Sequence, residues 1–165
     1  MFTNILVRAP CCLVFLPTVL DVTQVQWDSF LQRLDDELQL SRSLDAHSIE
    51  VVVVSFGCQE GALHWLQETG CQYDMLLDPE RKVYAAFGLG ASLKKVLKFS
   101  NMLLYAEYVA DNMEFPRDLP SIQDDMFQLG GDFVLGEHGR VLFSHCCQSP
   151  IDRPSVDVIL AALGR

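Results

Sequence analysis

The sequence has six cysteines, at positions 11, 12, 58, 71, 146 and 147, but no Cys-x-x-Cys. Four of the six form two adjacent pairs. Neighbouring cysteines do not easily close on each other, and the spacing is not that of a secreted disulfide framework. Reduced, mostly buried thiols in a cytoplasmic protein are the expectation. Basic residues are also scarce: 12 Lys and Arg stand against 22 Asp and Glu, for a formal charge of −10. Nucleic-acid binding needs Lys and Arg to neutralise phosphates, so it is excluded as a function class. By the same balance an anionic membrane surface would repel the chain as a whole, and no membrane partner is expected. No apolar run approaches the roughly 18 residues of a membrane-spanning helix. The most apolar run, 11–20, contains Pro17 and is followed by Asp21. The same proline interrupts any secretory leader, and no Ala-x-Ala site follows it.

What is present is the composition of a folded domain. Apolar residues make up 50% of the 165 and charged residues 21%. A chain of this length can bury about 70% of its unfolded surface without help from disulfides or metals. With no repeat and no linker, residues 1–165 read as a single domain.

The pattern along the chain predicts its elements. Cys11 to Leu16 is a short buried strand stopped by Pro17. Trp27, Phe30, Leu31, Leu34 and Leu38 mark one face of a helix over about 24–40. Ile49 to Phe56 is β-branched almost throughout, as in the centre of a parallel sheet, and Gly57 ends it. Glu60 to Thr69 is a helix closed by Gly70. Tyr73 to Leu77 is a strand. Asp78, Pro79 and Glu80 then read as N-cap, first helical residue and first-turn acid of a helix through Phe87. Ala91 to Asp111 reads as one helix, with Lys94, Lys95 and Lys98 as a solvated basic face. The segment 112–125, with Pro116 and Pro120 and no periodicity, reads as an exposed loop. Phe127 to Leu135 and Arg140 to Cys146 form an antiparallel hairpin around a Gly136–Gly139 turn. Pro154 or Ser155 starts a last helix through Leu163. Alternating strands and helices, closed by an antiparallel hairpin and a helix, predict an α/β thioredoxin-like fold with a central mixed sheet.

Three stretches of sequence resemble the AhpC/TSA-type, peroxiredoxin-like 2 family, which includes relatives of selenoprotein L and of prostamide/prostaglandin F synthase. The first is Leu76-Leu77-Asp78-Pro79-Glu80-Arg81-Lys82-Val83-Tyr84-Ala85-Ala86-Phe87-Gly88-Leu89. The second runs from Phe127-Gln128-Leu129-Gly130-Gly131-Asp132-Phe133-Val134-Leu135 into Gly139-Arg140-Val141-Leu142-Phe143-Ser144-His145. The third is Asp152-Arg153-Pro154 through Leu163. The resemblance implies a thioredoxin-like fold used for thiol redox chemistry, without metal, flavin or other cofactor. It also implies a peroxide or disulfide substrate and a thiol reductant. One branch of the family acts on a lipid endoperoxide.

In that family the reactive cysteine sits in the turn after the first strand, where a helix N-terminus stabilises a thiolate. Here that turn reads Pro17-Thr18-Val19-Leu20-Asp21-Val22-Thr23 and contains no cysteine. Either the thiol has been lost, leaving a non-catalytic binding module, or residues 1–20 do not correspond to the family's usual N-terminus.

Cys58 is the candidate surrogate nucleophile. It follows the 49–56 strand, on the edge where parallel sheets carry their sites, and precedes a helix; an ordinary loop thiol would show the same features. Cys11 and Cys12 open the first strand, away from that edge. His145, Cys146 and Cys147 have the residue types of a metal site, but strand alternation sends neighbours to opposite faces. Cys58, His64 and Cys71 match no standard zinc spacing. Gly130-Gly131 precedes a strand rather than opening a helix, so it is not a dinucleotide fingerprint; it serves close backbone approach.

Overall fold

The structure is a computed structural model and describes residues 11–16, 49–111 and 125–162. The helix expected over 24–40, the 17–23 turn and all but the last residue of the 112–125 loop lie outside the described residues.

The described strands are β1 (Cys11–Leu16), β2 (Ile49–Ser55), β3 (Asp74–Leu77), β4 (Gly131–Leu135) and β5 (Val141–Cys146). The helices are α1 (Gln59–Thr69), α2 (Lys82–Ala86), α3 (Leu93–Val96), α4 (Phe99–Ala110) and α5 (Val156–Ala162). The strands form one sheet in the order β3-β2-β1-β4-β5. The pairs β1/β2 and β2/β3 are parallel, and β1/β4 and β4/β5 are antiparallel. This is the mixed sheet with a closing hairpin that the sequence predicts.

Strand alternation divides the core between the two faces of the sheet. Val14, Val52, Val54, Phe133 and Leu135 pack with Phe56, Tyr84 and Leu89 on one face. Val51, Val53 and Val134 pack with Val156 and Ile159 on the other, where Trp65 of α1 also rests. All four valines of the Val51–Val54 run are buried, which is why that strand is β-branched rather than alternating. Tyr84 is fully buried and its hydroxyl donates to the Val54 carbonyl at 2.9 Å, satisfying the one polar atom that its ring brings into the core.

Three expectations are corrected. First, α2 begins at Lys82, not at Pro79. Asp78 still caps it, but across a turn: its carboxylate accepts from the N–H groups of Lys82, Val83 and Tyr84 at 2.9, 2.7 and 3.1 Å. Arg81 stands between them in the left-handed region, with φ 53°. Secondly, 91–111 is two helices. The buried Asn101 side chain donates to the carbonyls of Lys95 and Val96 at 2.9 and 3.1 Å, closing α3 from outside and turning the chain at Leu97–Lys98. Thirdly, β4 starts only at Gly131. Gln128 instead forms a bridge with Ala91, and the Leu129 N–H donates to the Gly90 carbonyl at 3.2 Å.

The remaining elements follow the sequence closely. Gly70 closes α1 at φ 62°. The hairpin turn is a single 3-10 turn, Glu137–Gly139, with His138 exposed and left-handed. The Ser155 hydroxyl accepts from the Val158 N–H at 3.4 Å at the start of α5.

Candidate functional site

The carboxyl ends of β1, β2 and β3 share one edge of the sheet, because the three strands are parallel. Cys58 lies just beyond β2 on that edge. It is the N-cap of α1, in an extended conformation, and its sulfur accepts from the Gly61 N–H at 3.5 Å. Its carbonyl takes the first helical bond, from the Ala62 N–H at 3.0 Å. The thiol is exposed. A negatively charged sulfur at this position keeps the same donor and strengthens the bond, since hydrogen bonds to ions are about twice as strong as neutral ones. Glu60, in the same first turn, places a carboxylate against that end of the helix.

The other described thiols sit differently. Cys71 follows α1, packs against the core, and burial pushes its thiol up from the ordinary range. Cys146 ends β5 and is exposed, with its sulfur 3.7 Å from the Phe87 carbonyl. Cys147 is buried. The two neighbours therefore take opposite environments, with Cys147 lying just past the end of β5. Two strands, β1 and β4, separate β2 from β5. Three inter-strand spacings of about 4.8 Å then lie between the strands that lead to Cys58 and Cys146. A disulfide needs Cα atoms within about 7 Å, so the two exposed thiols cannot bridge without a large movement. Cys11 and Cys12 open β1, opposite Ile49 and Glu50 and away from this edge.

His145 does not join the cysteines. Its Nε2 lies 3.2 Å from both the carboxylate and the carbonyl oxygen of Asp152. Among the described residues no group of three or more His, Cys, Asp or Glu side chains could hold a metal ion. Gly130 and Gly131 meet the edge from the other side: Gly131 is paired with Leu16, the last residue of β1, and with Cys146.

Two polar clusters at this edge escaped the sequence reading. In one, Arg81 donates to the Asp125 carboxylate at 2.7 Å and to the Gln128 side chain at 3.2 Å, and its guanidinium lies 5.0 Å over the Phe56 ring. Reaching these three partners is what the left-handed conformation of Arg81 accomplishes. In the other, Arg153 pairs with Asp132, which is fully buried within β4. A lone Asp in an apolar strand, followed by a distant Asp-Arg-Pro, is the only sequence sign of that pair.

The Arg81 hydrogen bond holds the Asp125 carboxyl below its ordinary value of about 3.8. A depressed carboxylate stabilises the fold above the unfolded value and loses that contribution as pH falls through the folded one. With both side chains about a third exposed, solvent screening limits the effect to under about 1 kcal/mol. The urea midpoint of Asp125→Asn is accordingly expected to lie slightly below wild type at neutral pH. The gap should close below pH 3.8. A gap of constant size would mean that ionisation contributes nothing.

This sheet order, with its parallel half, closing hairpin and helix on the hairpin, defines a thioredoxin-like α/β fold. The family description "AhpC/TSA antioxidant enzyme" matches residues 37–149, so the chain belongs to the AhpC/TSA antioxidant enzyme family. Among solved structures it is similar to a cysteine-to-serine mutant of peroxiredoxin Q from Xanthomonas campestris. The identity is 11%, over 94% of this chain and 78% of that one, with a TM-score of 0.54. It is also similar to the bacterioferritin comigratory protein of the same organism, described for its alkyl peroxide reduction activity. Here too the identity is 11%, over 94% of this chain and 79% of that one, with a TM-score of 0.54. No curated protein matches the sequence. The turn 17–23 lies outside the family match, which begins at residue 37.

Proposed function

We propose that the chain is a thiol-dependent oxidoreductase of the peroxiredoxin-like kind, with Cys58 supplying the reacting sulfur. The observation that carries the reading is the position of Cys58: an exposed thiol capping the N-terminus of α1, its sulfur held by a backbone N–H. The family and the alkyl peroxide activity of the similar bacterial protein suggest a hydroperoxide as substrate.

The chemistry balances with one cysteine. The Cys58 thiolate attacks the terminal oxygen of the hydroperoxide, the S–O bond forms as the O–O bond breaks, and the alkoxide leaves as an alcohol after taking a proton. The resulting sulfenic acid condenses with an external thiol, releasing water and giving a mixed disulfide. A second external thiol attacks that disulfide, returns the Cys58 thiol and leaves as the oxidised reductant. A low-molecular-weight thiol suits this step, because Cys146 is three strand spacings away.

Hydroperoxide-dependent oxidation of such a thiol is expected to fall to background in Cys58→Ser and to persist in Cys146→Ser. Unchanged turnover in Cys58→Ser would refute the assignment. The absence of cysteine from the 17–23 turn favours a second reading, a non-catalytic binding module. That reading is the outcome if wild type itself shows no turnover and no thiol oxidises.

A further inference from the structure

Helix α4 carries apolar residues on its exposed side as well as on its inner one. Asn101, Leu104 and Tyr105 lie on its inner side. Phe99, Met102, Leu103, Ala106 and Ala110 recur at spacings of 3, 1, 3 and 4 on the opposite side and are all exposed. Such a helix normally has both faces covered. The exposure here is large: 81% for Phe99, 53% for Leu103 and 64% for Val109. Helix α3 meets α4 at a corner, and that corner adds Leu93 and Leu97, 54% and 50% exposed. The same corner carries Lys94, Lys95 and Lys98, three of the chain's 12 basic residues. Within 93–110 the only acidic residue is Glu107. A strongly acidic chain therefore presents one locally basic and apolar surface.

We propose that this corner is a peripheral docking surface for an anionic lipid bilayer. The combination decides the partner. Lysines beside protruding Leu and Phe side chains match negatively charged headgroups above an acyl boundary. Phe99 and Leu103 project from the helix beside the lysines, and a bilayer takes up such side chains below its headgroups. Among the described residues no helix is long and apolar enough to cross a membrane, so the contact is one of lying on the surface. The net charge of the whole chain opposes such a contact, but exposed charges farther away than a Debye length of about 8 Å are screened, so the local charge at this corner decides.

The test is co-sedimentation of the full chain with vesicles of phosphatidylcholine, alone or mixed with phosphatidylserine. Wild type is expected to bind the mixed vesicles, to bind phosphatidylcholine alone much less, and to be released by high salt. Each lysine near an anionic surface contributes roughly fivefold in affinity, so replacing Lys94, Lys95 and Lys98 by Gln should weaken binding on the order of a hundredfold. Replacing Phe99 and Leu103 by Ser should also release the protein. These are exposed positions, and circular dichroism would verify that the variants fold. Three results would overturn the proposal: no binding to mixed vesicles, binding that neither set of substitutions changes, or a concentration-dependent dimer that the Phe99 and Leu103 changes dissolve while vesicles bind nothing. The experiment is independent of Cys58 chemistry, and either inference can fail alone.

Discussion

Replacing Asp132 by alanine is expected to destabilise the protein by about 3–5 kcal/mol. Asp132 is fully buried, and the Arg153 guanidinium that pairs with it at 2.5 Å is 13% exposed. The β4 register sets Asp132 between Phe15 of β1 and His145 of β5, one residue in from the end of β4, so both neighbouring strands flank it. Removing it takes from a largely buried guanidinium the carboxylate that offsets the cost of its desolvation. That desolvation cost, rather than the value of the pair itself, sets the size of the effect. Changing Asp132 and Arg153 together to leucine should therefore cost much less than the single change. Urea denaturation of wild type and the two variants measures both quantities. A single variant within about 1 kcal/mol of wild type, or a double variant as unstable as the single one, would show that burial of the pair is not the determining feature. Domains of this kind have about 5–15 kcal/mol in total, so the single change would leave a large fraction of molecules prone to unfold.

Gly131→Ala is expected to cost about 3 kcal/mol, for a steric reason. A Cβ on Gly131 would lie 2.6 Å from the His145 backbone carbonyl oxygen, 2.9 Å from the Phe133 ring and 3.2 Å from the Leu89 side chain. Side chains can turn aside, but the His145 carbonyl belongs to β5 and cannot yield without opening the β4/β5 ladder. Leu16 is paired on the other side of Gly131, so any shift would also reach the carboxyl end of β1. Gly90→Ala is the matched control: no atom lies within 4 Å of its added Cβ, and its stability should stay near wild type. Equal midpoints for the two variants would remove the packing explanation for Gly131.

Those two positions also show how far the sequence could be read. The Val51–Val54 run, Gly70 as a helix stop and the hairpin about Gly136 are local signals, and the structure realises each of them. The mixed sheet with its closing hairpin followed from their succession together with the resemblance, while the strand order emerges only from the structure. Other features depended on partners far along the chain. Arg81 leaves the helical conformation because Asp125 and Gln128, more than 40 residues later, offer acceptors and Phe56 offers a ring. Asn101 breaks a periodic apolar stretch through its own side-chain bonds, which periodicity does not register. Asp132 resembles a misplaced surface residue until Arg153 is placed beside it. Cys58 was legible as a residue between a strand end and a helix, but its role as N-cap, with Gly61 as donor, emerges only from the backbone.

The most direct measurement is alkylation of all six thiols as a function of pH, with each site assigned by mass spectrometry, followed by exposure to a hydroperoxide. Cys58 is expected to react first at neutral pH and to be the residue recovered as sulfenic acid. Cys71, whose burial raises its thiol, should lag behind. Six slow thiols with no oxidised site, or first oxidation at any cysteine other than Cys58, would contradict it.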